Sequence, residues 1–138
     1  MIINSTNDTV ITGSEENDVI TNSGEYAVIC GVGGDNTLRK SADNVVLISG
    51  DDGDNVFIAE SGISTLIGGT GNNTLTGGDG ANTFIHGNGG NDTITNYNQL
   101  EDNIIIGKST VAEYLSVTTV MMLFSKFAKM IPNSAQLP

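Results

Sequence analysis

The chain has no tryptophan, one cysteine, one histidine, two prolines and only five basic side chains in 138 residues. A single cysteine, Cys30, excludes an internal disulfide and says little about compartment; it reads as a small half-buried strand residue. A single histidine, His86, excludes HExxH zinc chemistry, and no serine sits in GxSxG, so enzymatic activity has little footing. With 5% aromatic residues the chain cannot build a thick globular core, yet 38% hydrophobic is too much for simple disorder. The shortage of Lys and Arg removes the basic stripe that phosphate binding requires, which argues against nucleic acid or an anionic membrane as partner. The apolar run Val120–Phe124 is far shorter than the ~20 residues that span a bilayer, so no transmembrane segment is expected. The N-terminus lacks both the basic region and the apolar run of a signal peptide.

Glycine and acid are what the chain has, with 18 glycines and 16 Asp and Glu. They fall into a repeat. GGTGNNTLT at 68–76 is followed at once by GGDGANTFI at 77–85, each a six-residue glycine-rich loop and a short strand around one apolar residue, Leu75 or Phe84. Counting back by nine from Leu75 lands on Leu66, Phe57 and Ile48, and counting forward lands on Phe84. A one-residue slip at His86 brings in Ile94, and another at Lys40 recovers Leu38, Ile29 and Ile20. These residues are the expected core. Lys40 and His86 are read as inserted residues, with His86 in a solvated turn.

The loops alternate in quality. GSEEND, GVGGDN, GDDGDN, GGTGNN and GNGGND begin at 13, 31, 50, 68 and 87, while NSGEYA, SADNVV, AESGIS and GGDGAN lie between them. Two repeats therefore make one coil. The expectation is an all-β fold, a right-handed parallel β-roll in which successive strands fall on opposite sheets and each loop stacks on the loop two repeats away. One edge would carry the five glycine-rich loops and the other the degraded ones. The roll is expected over residues 1–95, with residues 1–12 as a degenerate opening turn. Residues 96–138 would form a C-terminal cap and tail. In the cap, Asp102 precedes a last strand at Ile104–Ile106 that covers the open end. Residues 109–131 suggest an amphipathic helix, blurred by the β-branched Val117–Val120, whose Met and Phe cluster is read as packing on a core or cap in preference to a membrane-binding face. All the net charge lies in the repeats, because residues 1–95 hold thirteen acids and two bases, and residues 96–138 three of each.

Carboxylates and amides set in tight glycine loops suit a hard cation such as Ca²⁺, which takes six to eight oxygens. The repeats resemble the RTX, or hemolysin-type calcium-binding, nonapeptide GGxGxDxUx over residues 13–95, and DTITNYNQLEDNIII looks like the flank that follows such arrays in secreted bacterial proteins. The resemblance implies a calcium-stabilised roll, commonly the C-terminal part of toxins, proteases, lipases, adhesins or polysaccharide epimerases exported by a one-step (type I) system. It implies an extracellular location reached without an N-terminal signal peptide, and gives the tail the role of a secretion signal.

In the family the sixth residue of each repeat is an aspartate that supplies the charged ligand. Here that position reads Asp18, Asn36, Asn55, Asn73 and Asp92 on the glycine-rich edge, and Ala27, Val46, Ser64 and Asn82 on the other. Carried onto this sequence, the metal ligands would be Asp18; Gly31, Gly33, Asp35 and Asn36; Gly50, Asp52, Asp54 and Asn55; Gly68, Thr70, Asn72 and Asn73; and Gly87, Gly89, Asn91 and Asp92. The asparagines leave two readings open. They can offer neutral oxygens to calcium, or they can stack as an amide ladder that needs no metal.

The leading expectation is a non-catalytic calcium-binding module with a structural and export role. A polysaccharide-binding module resembling those that accompany mannuronan epimerases is the first alternative, with polysaccharide or the export machinery as partner. The outward pairs Thr74/Thr76 and Thr93/Thr95 suggest ice binding as a remote one, interrupted at Val56/Ile58 and Thr37/Arg39.

Overall fold

The computed structural model describes residues 1–107 apart from Asp51 and Asn88. The helix expected at 109–131 lies outside the described residues. Within them every regular element is a strand. One sheet holds β1 (Ile2–Asn4), β3 (Val19–Asn22), β5 (Thr37–Lys40), β7 (Val56–Ala59), β9 (Thr74–Thr76) and β11 (Thr93–Thr95). The other holds β2 (Val10–Thr12), β4 (Val28–Val32), β6 (Val45–Gly50), β8 (Ser64–Ile67), β10 (Asn82–His86) and β12 (Asn103–Ile106). We call them the odd and even sheets. Each strand pairs in parallel with the strand two further along the chain, so the chain winds as a β-solenoid of six coils, the parallel β-roll that the repeat predicts.

Strands of three to six residues suffice because each contributes one central side chain to the space between the sheets. Ile20, Leu38, Phe57, Leu75 and Ile94 from the odd sheet meet Ile11, Ile29, Leu47, Leu66 and Phe84 from the even sheet, and none is more than 7% exposed. Neighbouring residues point outward by the strand period of two. On the odd sheet the outward columns mix Val19, Thr37, Val56, Thr74 and Thr93 with Thr21, Arg39, Ile58, Thr76 and Thr95. On the even sheet they are Val10, Val28, Val46, Thr65, Thr83 and Asn103, beside Thr12, Cys30, Ile48, Ile67, Ile85 and Ile105.

Three sequence expectations are corrected. The core residue of β6 is Leu47, a strict nine from Leu38, and Ile48 points outward opposite Cys30 and Ile67. The extra residue of that coil therefore lies between Leu47 and Phe57, beyond the core position of β6. Val45 to Ile48 are all apolar, so hydrophobicity alone could not fix which parity faces in. Lys40 is accordingly no insertion: it closes β5, in register with Asn22 and Ala59, and is fully buried. His86 is not a solvated turn residue either. It ends β10, in register with Ile106, with 1% of its surface exposed.

The two edges differ as their sequences do. The first edge, running from even to odd strands, carries the glycine-rich loops; the second carries the others. In the first-edge loops the fourth residue takes the left-handed conformation at Gly34 (φ 75°) and Gly90 (φ 73°), which glycine adopts without a Cβ penalty.

Candidate metal centre

The sixth residues of the first-edge loops stand one above another as a ladder. The backbone N–H of Asp18 donates to Asn36 Oδ1 at 2.8 Å, that of Asn36 to Asn55 Oδ1 at 2.8 Å, that of Asn55 to Asn73 Oδ1 at 3.0 Å, and that of Asn73 to Asp92 Oδ1 at 3.1 Å. Asn36, Asn55, Asn73 and Asp92 are at most 2% exposed. Each asparagine also turns its Nδ2 onto its own loop, to Gly33 and Gly34 carbonyls from Asn36, to Gly53 from Asn55 and to Gly71 from Asn73. Close packing around these amides depends on glycine: a Cβ on Gly31 would stand 2.7 Å from Asn36 Nδ2.

The fifth residues form a second ladder that runs the other way. Asn17, Asp35, Asp54 and Asn72 each accept, through Oδ1, the backbone N–H of the fifth residue in the next coil at 2.7 to 2.9 Å. Their side chains lie on the exposed rim. Of the other residues expected as ligands, Asp52 and Thr70 are exposed, Gly50 ends β6 opposite Val32, Gly68 accepts the Ser49 hydroxyl, Gly87 packs against the Gly69 backbone, and Gly89 takes φ 110°.

The ladder ends on charge at both sides. Asp92 receives the Asn73 amide at 2.8 Å and His86 Nδ1 at 2.8 Å, both from buried groups. A carboxylate only accepts, so Nδ1 carries the proton in that bond. Asp18, half-buried, accepts the backbone N–H and the hydroxyl of Ser14 at 2.7 and 2.8 Å. The Ser14 hydroxyl and then its N–H hold the Asp18 carboxyl below the ordinary 3.8.

The second edge uses the same device with different donors. Asn4 Nδ2 donates to Asn22 Oδ1, and Asn22 Nδ2 to the Gly24 carbonyl, both at 2.7 Å. One coil on, Lys40 Nζ donates to the Ala42 carbonyl at 2.9 Å and to that of Ser61 in the next coil. A tethered ammonium thus sits where two stacked loops turn their carbonyls inward. Burial pushes Lys40 below the usual 10.5, against the opposing pull of Asp43. At the C-terminal end Asn82 donates its backbone N–H to Asp102 Oδ1 at 2.7 Å and its Nδ2 to Gly78 and Gly80.

Calcium asks for converging oxygens, and an N–H that already points at a carbonyl excludes the ion from that point. The inner rungs of the first edge, at Asn36, Asn55 and Asn73, therefore do not fit it. Two other places do. At the first loop the Asp18 carboxylate lies beside the Gly31 carbonyl, in space that a Cβ on Gly13 would fill. At the second edge a cavity of about 150 Å³ is lined by Gly78, Asp79, Gly80, Asn96, Asn98 and Glu101. Its loop is held by the buried Asn82, whose Oδ1 accepts no hydrogen bond. Among the described residues no three of His, Cys, Asp and Glu converge on one point, so amide and backbone oxygens would have to complete either site.

Two parallel sheets wound from nonapeptide units, with a polar side chain closing every loop, define a solenoid of the β-roll class. The family model of the RTX calcium-binding nonapeptide repeat matches residues 49–84 and 84–96, in four copies. Over residues 49–96 the chain is similar to that repeat family, and the similarity supports calcium binding. No curated protein and no solved structure matches the chain. Among the described residues no helix is long and apolar enough to cross a membrane.

The sequence located the first-edge columns. It missed the roles of Lys40 and His86. Lys40 was signalled by a spacing of 18 from Asn4 through Asn22, and His86 by its parity with the inward-facing Asn82 and Phe84.

Proposed function

We propose that the chain is a structural, non-catalytic β-roll module of an exported bacterial protein, held along its length by side-chain amides and binding calcium near its ends. The observation that carries this reading is the Asn36–Asn55–Asn73 ladder, whose Nδ2 groups supply to the loop carbonyls the positive partner that a metal supplies elsewhere. Calcium then acts at the Asp18 loop and at the cavity bearing Asp79 and Glu101, where carboxylates remain on the rim. Similarity to the repeat family over residues 49–96 supports the calcium and the export; the paired state of the inner rungs supports the restriction to the ends.

Far-UV circular dichroism in chelator, with calcium calorimetry on the same sample, tests it. A folded apo roll is expected, with calcium heat that disappears in the Asp18→Asn, Asp79→Asn, Glu101→Gln variant. A chain that is unfolded in chelator and folds only with calcium would show that the inner rungs need metal, against this reading. Polysaccharide binding draws no support from a particular group of residues here. Ice binding is opposed by Arg39, Val56 and Ile58, which break the threonine columns of the odd sheet.

A further inference from the structure

Unlike that of the odd sheet, which carries Arg39, the outer face of the even sheet carries no charge. Its two outward columns, running from Val10 and Thr12 in β2 to Asn103 and Ile105 in β12, contain no charged residue across six strands. Val10 and Ile105 at the ends are 70% and 51% exposed, and Ile63 beside the middle is 52% exposed. A depression of about 210 Å³ lies there between Val46, Ile63 and Thr65. Aliphatic residues predominate in the two columns, interrupted by Thr12, Thr65, Thr83 and Asn103, and form an uncharged strip on an otherwise acidic molecule.

We propose that this strip is covered by the chain's own segment 109–131, which lies outside the described residues. Connectivity is the first argument. β12 is the outermost strand of this same sheet, so the segment leaves from the end of the face it would cover. Length is the second: six strands at ~4.8 Å spacing extend ~24 Å, and 23 residues reach ~34 Å even at the helical rise of ~1.5 Å. Composition agrees, since Val111, Leu115, Met121, Met122, Phe124 and Phe127 supply apolar surface with no Gly or Pro to interrupt it. Charge agrees as well. Residues 108–131 carry Lys108, Lys126 and Lys129 against Glu113 alone, while both edges flanking the face are acidic, with Glu15, Asp35 and Asp54 on one and Glu25, Asp43 and Glu60 on the other.

The size of the face decides between occupants. A strip ~24 Å long and ~10 Å wide presents ~240 Å², well short of the ~800 Å² per partner of a stable complex. A tethered segment does not lose the translational freedom that a second copy must, so the small area suffices for it.

Cys30 stands on this face, half-buried between Thr12 and Ile48, and is the only thiol. Its reaction rate with a small aromatic disulfide reagent, in the full chain, therefore reads the cover directly. Met121→Asp with Phe124→Asp is expected to raise that rate about tenfold while the circular dichroism of the roll is unchanged. Equal rates in the two proteins, fast or slow, would overturn the proposal. So would protection that fades on dilution, which would assign the face to a second copy. As an independent readout, Ile67→Lys on the face is expected to speed tryptic cleavage at Lys126 and Lys129, with Thr76→Lys on the odd sheet as a control that leaves it unchanged; equal cleavage in both would count against the tail.

Discussion

Asn36, Asn55 and Asn73 do what a metal-ligating aspartate cannot, because one end of the amide accepts from the preceding coil while the other donates to its own loop. Changing Asn55 to Asp keeps the acceptor and deletes the donor. The Gly53 carbonyl and Asn73 Oδ1 then both face the carboxylate oxygen that replaces Nδ2. A loss of ~2–4 kcal/mol in chelator is expected from the unpaired groups and the buried charge, with calcium restoring much of it. Asn55→Leu should cost a similar amount, with no calcium response beyond that of the unchanged protein. Thermal melts of the three proteins with and without calcium check both. Asp18, at the end of the ladder, makes a separate prediction. Its folded pKa lies below 3.8, so its contribution to stability is present above 3.8 and is lost as pH falls through the folded value. Ser14→Ala removes the largest cause of that shift, and the Asp18 midpoint followed by carboxyl NMR should move up toward 3.8. An unchanged midpoint would assign the shift to the backbone N–H instead.

At the scale of strands and loops, the sequence made most of the roll legible because each strand buries one side chain and each coil repeats it every 18 or 19 residues. Phe57, Leu66, Leu75 and Phe84 could be placed by counting alone, and Leu38 by a slip that counting puts at Lys40 although it falls between Leu47 and Phe57. The method failed where apolar residues ran together, at Val45–Ile48, since counting cannot tell inward from outward when both are aliphatic. It was also blind to polar residues facing inward. The His86–Asp92 pair and the Lys40 bridge exist because loop carbonyls and a ladder-end carboxylate need donors, a demand created by the stacking and invisible in one repeat. The candidate metal site was legible as a column but not as chemistry. Asn at the sixth position fits either an ion or a ladder, and only the direction of Nδ2 separates them. Stacking itself is testable at Gly71, where a Cβ would overlap the Gly53 carbonyl in the coil below. Neither strand spacing nor loop can yield there, so Gly71→Ala is expected to cost ~2–4 kcal/mol by urea denaturation. Thr70→Ala, one residue away and exposed, should change stability by less than ~0.5 kcal/mol.

For the whole molecule the decisive quantity is the net charge of −11, carried by the repeats. The two basic residues among the first 95 are already engaged, Arg39 with Glu60 and Lys40 with the carbonyls of Ala42 and Ser61. Acids repeat along the stack instead of alternating with bases, as Asp35 and Asp54 do in consecutive coils of one column. Such repulsion is long in range and is screened by any salt, over ~10 Å at 0.1 M. Calcium bound at a site adds to screening by mass action, because only the folded chain assembles the site. The two effects therefore separate in a calorimetric melt. In chelator, sodium chloride should raise the melting temperature steadily. At equal ionic strength, calcium should raise it further, and magnesium should not match it, since magnesium demands tighter octahedral geometry than loose loop carbonyls and amides provide. Asp79→Asn with Glu101→Gln should shrink the calcium increment while leaving the sodium response nearly intact. A calcium effect no larger than that of sodium would reduce the cation to a screening role and leave the amide ladders as the whole of what holds the roll.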